Sequence, residues 1–180
     1  GSIASDSKGN LYVADVPVAD IRAASHDMPG TPFFRSGKHV DAQSDVAYLV
    51  KFPPTGGTRC SNTELWAHRG VSTVNGGQCR CSITTNILAI DESDRIFAAD
   101  SGKYHVKVLD TAGNLIARVG GWGNADCRGL GSKYPEPAIP FGWLFSIDAC
   151  GDSLYASDRD LNRVVKVKMD YRETKDAAVP

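Results

Sequence analysis

Three six-residue segments share one pattern: Asn10-Leu11-Tyr12-Val13-Ala14-Asp15, Arg95-Ile96-Phe97-Ala98-Ala99-Asp100 and Ser153-Leu154-Tyr155-Ala156-Ser157-Asp158. Each runs polar, aliphatic, aromatic, small or branched, small, Asp. An internal repeat constrains the fold more than any single motif, because one supersecondary unit must serve several times. The aliphatic and aromatic positions mark a strand, and the closing Asp marks a turn in which its carboxylate accepts backbone N–H groups.

The flanks repeat as well. Asp6-Ser7-Lys8-Gly9, Asp91-Glu92-Ser93-Asp94 and Ala149-Cys150-Gly151-Asp152 precede the three segments and read as tight hairpin turns. Upstream of those turns lie short first strands: Ser2 to Ser5, Asn86 to Ile90 and Leu144 to Ile147. Downstream lie third strands of period two: Ala47 to Phe52, His105 to Asp110 and Arg163 to Lys168. Fourth strands are expected at Glu64 to His68 and Asn114 to Gly120, and the third copy reaches Asp170-Tyr171 without one. We label the four strands a to d. The chain has 18 Gly and 9 Pro, which suits many short strands joined by turns. Four antiparallel strands in tandem copies predict an all-β chain of β-propeller blades, about three of them: blade 1 over 2–70, blade 2 over 83–120 and blade 3 over 144–171, in one partial domain of 180 residues.

The stretch from Asp91 to Gly120 carries an Asp-Ser-Gly turn at 100–102, a Val-x-Val-x-Asp strand at 106–110 and a Gly-Asn-Leu turn at 113–115. From end to end it resembles an NHL repeat. The resemblance implies a ring of six blades, of which this chain holds half. An open ring leaves strand edges and apolar blade faces without a neighbour. The missing blades are expected from the same, longer chain, since the sequence opens abruptly at Gly1-Ser2-Ile3 without Met; a second copy pairing into one ring is the alternative.

In such a blade the b–c and d–a connections lie on one face. The long connections, 16–45, 71–82 and 121–143, all belong to that set, and the opposite face has short turns apart from Pro53 to Asn62, which makes the first face the expected binding surface. They also serve, on the other reading, to cap a central channel. Candidate binding residues there are Arg80, Trp122, Arg128, Tyr134 and Trp143. Trp122, Tyr134, Phe141 and Trp143 crowd a segment stiffened by Pro135, Pro137 and Pro140, which makes either a ligand platform or a packed loop. Cys79, Cys81 and Cys127 fall on the same face and are disulfide candidates, Cys79 or Cys81 with Cys127. The other reading joins them with a His around zinc. Cys60 and Cys150 fall on the opposite face, in blades that do not adjoin, and no bridge is expected between them. His26 and His39 sit with Asp27, Asp41 and Asp45 in the first insertion. They are weak metal candidates against the plainer reading of a solvated loop. His105 and Arg163 occupy one repeat slot and are expected to reach back to Asp100 and Asp158.

Net charge is −1, and the insertion face mixes Arg22, Arg35, Lys38, Arg80, Arg128 and Lys133 with Asp20, Asp27, Asp41, Asp45, Asp126 and Glu136. Such mixing argues against a surface that tracks phosphates, so no nucleic-acid partner is expected. No apolar run approaches the roughly 20 residues of a membrane-spanning helix. No nucleophile triad, phosphate loop or dinucleotide fingerprint is present. The NHL resemblance implies a non-catalytic binding or scaffold module with a protein or small-molecule partner and no cofactor. The alternative is part of a metal-dependent propeller enzyme, a lyase or lactonase-like hydrolase, with calcium or zinc in a central channel. Against it, the innermost strands offer only Asn86, Asp91 and Asp148 as ligands. Five cysteines fit an extracellular or periplasmic setting, with the cytoplasm as the alternative.

Overall fold

The computed structural model describes residues 2–15, 48–57, 62–69, 71, 87–123 and 135–170. Among these, three antiparallel sheets follow one another along the chain. The first contains β1 (Ser2–Ser5), β2 (Leu11–Asp15), β3 (Tyr48–Phe52) and β4 (Trp66–Arg69), in that spatial order. The second repeats it with β5 (Leu88–Ile90), β6 (Ile96–Asp100), β7 (His105–Leu109) and β8 (Leu115–Val119). The third has three strands, β11 (Leu144–Cys150), β12 (Ser153–Asp158) and β13 (Arg163–Lys168). Strand order follows chain order in every sheet, as local hairpins dictate.

Local chemistry explains the hairpins. In Asp6-Ser7-Lys8-Gly9-Asn10, the Asp6 carboxylate accepts the backbone N–H of Lys8 (3.0 Å) and Asn10 (2.8 Å) and the Asn10 side-chain amide (2.8 Å). Gly9 closes the turn at φ +78° and donates to the Asp6 carbonyl. Asp110 to Asn114 copies this bond for bond, with Gly113 at φ +87°. In the second a–b turn Asp91 serves Ser93 and Arg95, and Asp94 takes the left-handed place at φ +58°. A type I turn closed by a left-handed residue is the standard short hairpin, and Asp at its first position holds the loop's free N–H groups.

Register aligns the copies residue by residue. Asp15 pairs with Tyr48, Asp100 with His105 and Asp158 with Arg163. Tyr12, Phe97 and Tyr155 are therefore equivalent, as are Leu49, Val106 and Val164, and Lys51, Val108 and Lys166. On the other face, Ile3, Leu88 and Ile147 correspond through their partners Val13, Ala98 and Ala156.

The sheets pack side by side on one apolar core that draws Tyr12, Leu49, Phe97, Val106, Ile147 and Leu154 from all three. The leading face of the first sheet meets the second. Lys51 Nζ and Trp66 Nε1 both donate to the Thr111 carbonyl, at 2.9 and 3.0 Å. Ser7 binds Asp94 through its amide and hydroxyl, and Ser2 Oγ accepts from Ile87 N. Between the second and third sheets, Ser101 Oγ donates to the Leu144 carbonyl.

Two expectations change. The 121–143 connection is more than a loop. β9 (Gly121–Trp122) and β10 (Pro140–Phe141) form a parallel pair within it. Gly121 and Gly123 donate to the carbonyls of Ile139 and Phe141, so the missing N–H of Pro140 is no obstacle. The third first strand also runs on to Cys150, leaving Gly151-Asp152 as a two-residue turn. The propeller expectation is met only at the level of sheets: the structure is all-β with successive antiparallel sheets, and no sheet closes on itself. The insertions 16–45 and most of 71–82 lie outside the described residues.

Two histidines make the packing pH-sensitive. Burial is the largest influence on His68 and His105, and it holds both imidazoles below their ordinary 6.5; Lys107 and Arg118 push the same way, while Asp100 opposes. The unfolded chain therefore takes up protons first as pH falls. Stability is full above 6.5 and falls as pH drops from there through the folded-state values. Urea midpoints at about pH 7.5 and about pH 5 should differ more in the wild type than in the double variant His68→Gln, His105→Gln.

Candidate functional site

The end of the sheets that carries the b–c turns and the β8-to-β11 connection is organised by the repeated Asp at the end of strand b. The Asp158 side chain is fully buried. It accepts from Gly142 N (3.0 Å) and Trp143 N (2.9 Å), and Arg163 Nη2 lies 3.5 Å away. Arg163 Nη2 also donates to the Pro140 carbonyl. One carboxylate thus ties the entrance of β11, the b–c turn and β10 together. The expected reach of Arg163 back to Asp158 is present.

Asp100 holds the same place in the second sheet, with different partners. Unlike that of Asp158, its carboxyl takes no backbone N–H among the described residues and has the Lys107 ammonium as its donor. Lys107 Nζ stands 3.4 Å and His105 Nε2 3.9 Å from Oδ2. Burial raises the Asp100 carboxyl above the usual carboxylate range, and the cations only partly offset it. Burial also holds the Lys107 ammonium below its ordinary value. Perturbed buried charges mark functional sites and structural ion networks alike. Here the trio faces the adjoining sheets rather than an open cleft.

The surface above these anchors is aromatic. Tyr104, in the left-handed region at φ +58°, meets Trp122 edge to face at 6.5 Å. Trp122 is 38% exposed although it stands in register with buried Phe141. Arg159 lies 5.9 Å from the ring centres of both Trp143 and Phe145. An open groove of about 390 Å³ runs beside β8 and β13, lined by Arg118, Pro137, Ile139 and Met169 among others. The rings can hold a planar group by stacking, and Arg159 can pair with an anionic one.

Of the sequence candidates, Trp122 ends β9 and Trp143 lies between β10 and β11. Arg80, Arg128 and Tyr134 lie outside the described residues, as do His26, His39, Cys79, Cys81 and Cys127. Cys150 is a free, exposed cysteine. Sequence reasoning missed Tyr104 and Arg159. Both sit in b–c turns directly after the repeated Asp, and that position was the signal available. Among the described residues, no group of three or more His, Cys, Asp or Glu is placed to hold a metal ion, and no helix is long and apolar enough to cross a membrane. Asp91 is spent on its own turn, and Asp148 is exposed on the third sheet.

No protein-family model matches the chain, and no curated protein is similar to it in sequence.

Proposed function

We propose that this chain is part of an NHL-type β-propeller and serves as a non-catalytic binding module, meeting its partner on the side of the long connections. The observation that carries this reading is a pair of contacts, Tyr104 on Trp122 of β9 and Arg159 on Trp143, whose backbone N–H the buried Asp158 holds. Exposed Trp122, half-buried Tyr104 and Trp143 and exposed Arg159 have the composition of a binding hot spot. Apart from the connection that opens at Pro53, the described turns on the opposite side are short and occupied with their own backbone, through Asp6, Asp91 and Asp110. The partner is a protein or small molecule with a flat face for the aromatics and an anionic group for Arg159. Cysteine content favours an extracellular or periplasmic setting.

The test is a capture experiment on immobilised wild-type chain, challenged with proteins and metabolites of the source organism. A partner retained by the wild type should be lost by the double variant Trp122→Ala, Arg159→Ala and kept by Lys8→Ala on the opposite side. The expected loss is at least about tenfold in affinity. Retention by the first variant with loss in the second would overturn the reading. Stoichiometric calcium or zinc in the purified protein would instead favour the metal-enzyme alternative.

A further inference from the structure

The third sheet departs from the repeat at one corner, and the departures meet there. Leu144 pairs with Asp158 and Ser146 with Ser157, so β11 carries one extra residue, Phe145, with no partner across the ladder. The first strands of the other two sheets pair without such a shift. A bulge of this kind takes a side chain out of the regular alternation and re-aims it. In the b–c turn, Arg159 follows the repeated Asp. The second sheet has Ser101 at that place, and its hydroxyl is engaged by the Leu144 carbonyl. The Arg159 guanidinium instead lies over the rings of both Trp143 and Phe145, 5.9 Å from each centre. Where a chain leaves its own repeated pattern at several adjoining residues, function is the common reason.

The corner is fixed by its backbone. Asp158 Oδ1 accepts from Trp143 N at 2.9 Å, and the Trp143 carbonyl accepts from Arg159 N at 2.9 Å. Asn162, in the left-handed region at φ +46°, closes the turn by donating to the Arg159 carbonyl at 3.2 Å. Trp143 and Arg159 are therefore held to each other whatever their side chains do. Both rings are half-buried, the Arg159 side chain is exposed, and it makes no ion pair among the described residues. A guanidinium resting on two rings is ordered in advance, and its N–H groups remain open to a ligand.

We propose that Arg159, Trp143 and Phe145 form a receptor for a carboxylate carried on a flat carbon frame, its two oxygens on the guanidinium N–H groups and the frame against the rings. The proposal rests on the reading of this side as the binding side, and adds to it the class of anion and Phe145 as a binding residue. The planar fork of a guanidinium matches the two oxygens of a carboxylate. A phosphate fits worse on two counts. Phosphate sites gather free backbone N–H groups, and here those of Gly142, Trp143 and Leu161 are engaged by Asp158 and that of Asn162 by the Arg159 carbonyl. Asp160, exposed and next in the chain, also repels a doubly charged group more than a singly charged one.

Titration of the chain with benzoate, followed by NMR of the tryptophan indole N–H groups, tests this. Benzoate should shift the Trp143 signal saturably, and benzamide, its neutral isostere, should bind at least about tenfold more weakly. Arg159→Lys keeps the charge and loses the fork, and should weaken benzoate at least about tenfold. Phe145→Leu removes one ring and should weaken it at least about threefold. Unfolding midpoints of the variants check that the fold is kept, and Arg159, being exposed, is the safer of the two. A Gly-Glu-Gly peptide with blocked ends identifies the source of the carboxylate. Tighter binding than benzoate assigns it to an acidic side chain of a partner protein, and weaker binding to a small planar acid. Equal affinity for benzoate and benzamide, tighter binding of inorganic phosphate, or indifference to Arg159→Lys would overturn the proposal. A captured partner that is lost by Trp122→Ala and kept by Arg159→Lys would remove this receptor and leave the binding side in place. Benzoate binding as expected, with partner capture governed by Lys8→Ala, would do the reverse.

Discussion

Asp158→Ala should cost this protein about 3–5 kcal/mol of folding stability, most of a typical small domain's margin. The residue is 1% exposed, so no water replaces its oxygens when they are removed. The amides of Gly142 and Trp143 lose their acceptor, and each buried unpaired N–H costs about 1–3 kcal/mol. Arg163 loses its carboxylate partner but stays partly solvated, which limits that contribution. Urea unfolding, followed by tryptophan fluorescence, measures the difference. Asp158→Asn should fall between Ala and wild type, since one amide oxygen can serve one of the two N–H groups. A loss under about 1 kcal/mol in the Ala variant would mean that β11 is held by packing alone.

Gly120→Ala should destabilise by about 3 kcal/mol, a large effect for one added methyl. Gly120 sits at φ +93°, a region that residues with a Cβ rarely enter. An added Cβ there would also strike the ring of Phe141, which is fully buried and has no space to retreat into. The strain falls where β8 passes into β9, so the β9–β10 bracket should open before the sheets do. Limited proteolysis within 121–143 should accelerate in Gly120→Ala at temperatures where the core still resists. Gly151→Ala is the control: it has φ +58° but open space around it, and should lose about 1 kcal/mol from strain alone. Equal effects at the two glycines would remove Phe141 from the explanation.

Much of the fold was legible because its signals are local. Asp6-x-x-Gly9-Asn10 and Asp110-x-x-Gly113-Asn114 specify a hairpin through bonds that span four residues at most. Alternation in β3, β7 and β13 then assigns the two faces of each strand. The reach of Arg163 to Asp158 was also readable, since register puts the two directly across from each other. The β9–β10 pair was not readable. It pairs only Gly121 with Pro140 and Trp122 with Phe141, too short for a periodic signal, and Asp158 and Arg163 hold the backbone of 140–143 beside it. Tyr104 and Arg159 escaped notice for a similar reason: turn residues carry no periodicity, and their ring partners, Trp122 and Trp143 with Phe145, lie 14 or more residues away in the chain.

The repeated hexapeptide, by itself, sets strand identity, hairpin order and residue equivalence, since each depends on bonds between near neighbours in the chain. It cannot set burial. Tyr12 with Lys51 and Tyr155 with Lys166 are the same local solution, yet Tyr12 is fully buried and Tyr155 is not. The difference comes from the second sheet, which covers the first pair and has no counterpart beside the second pair among the described residues; apolar burial is a property of what lies across the interface rather than of the strand that carries it.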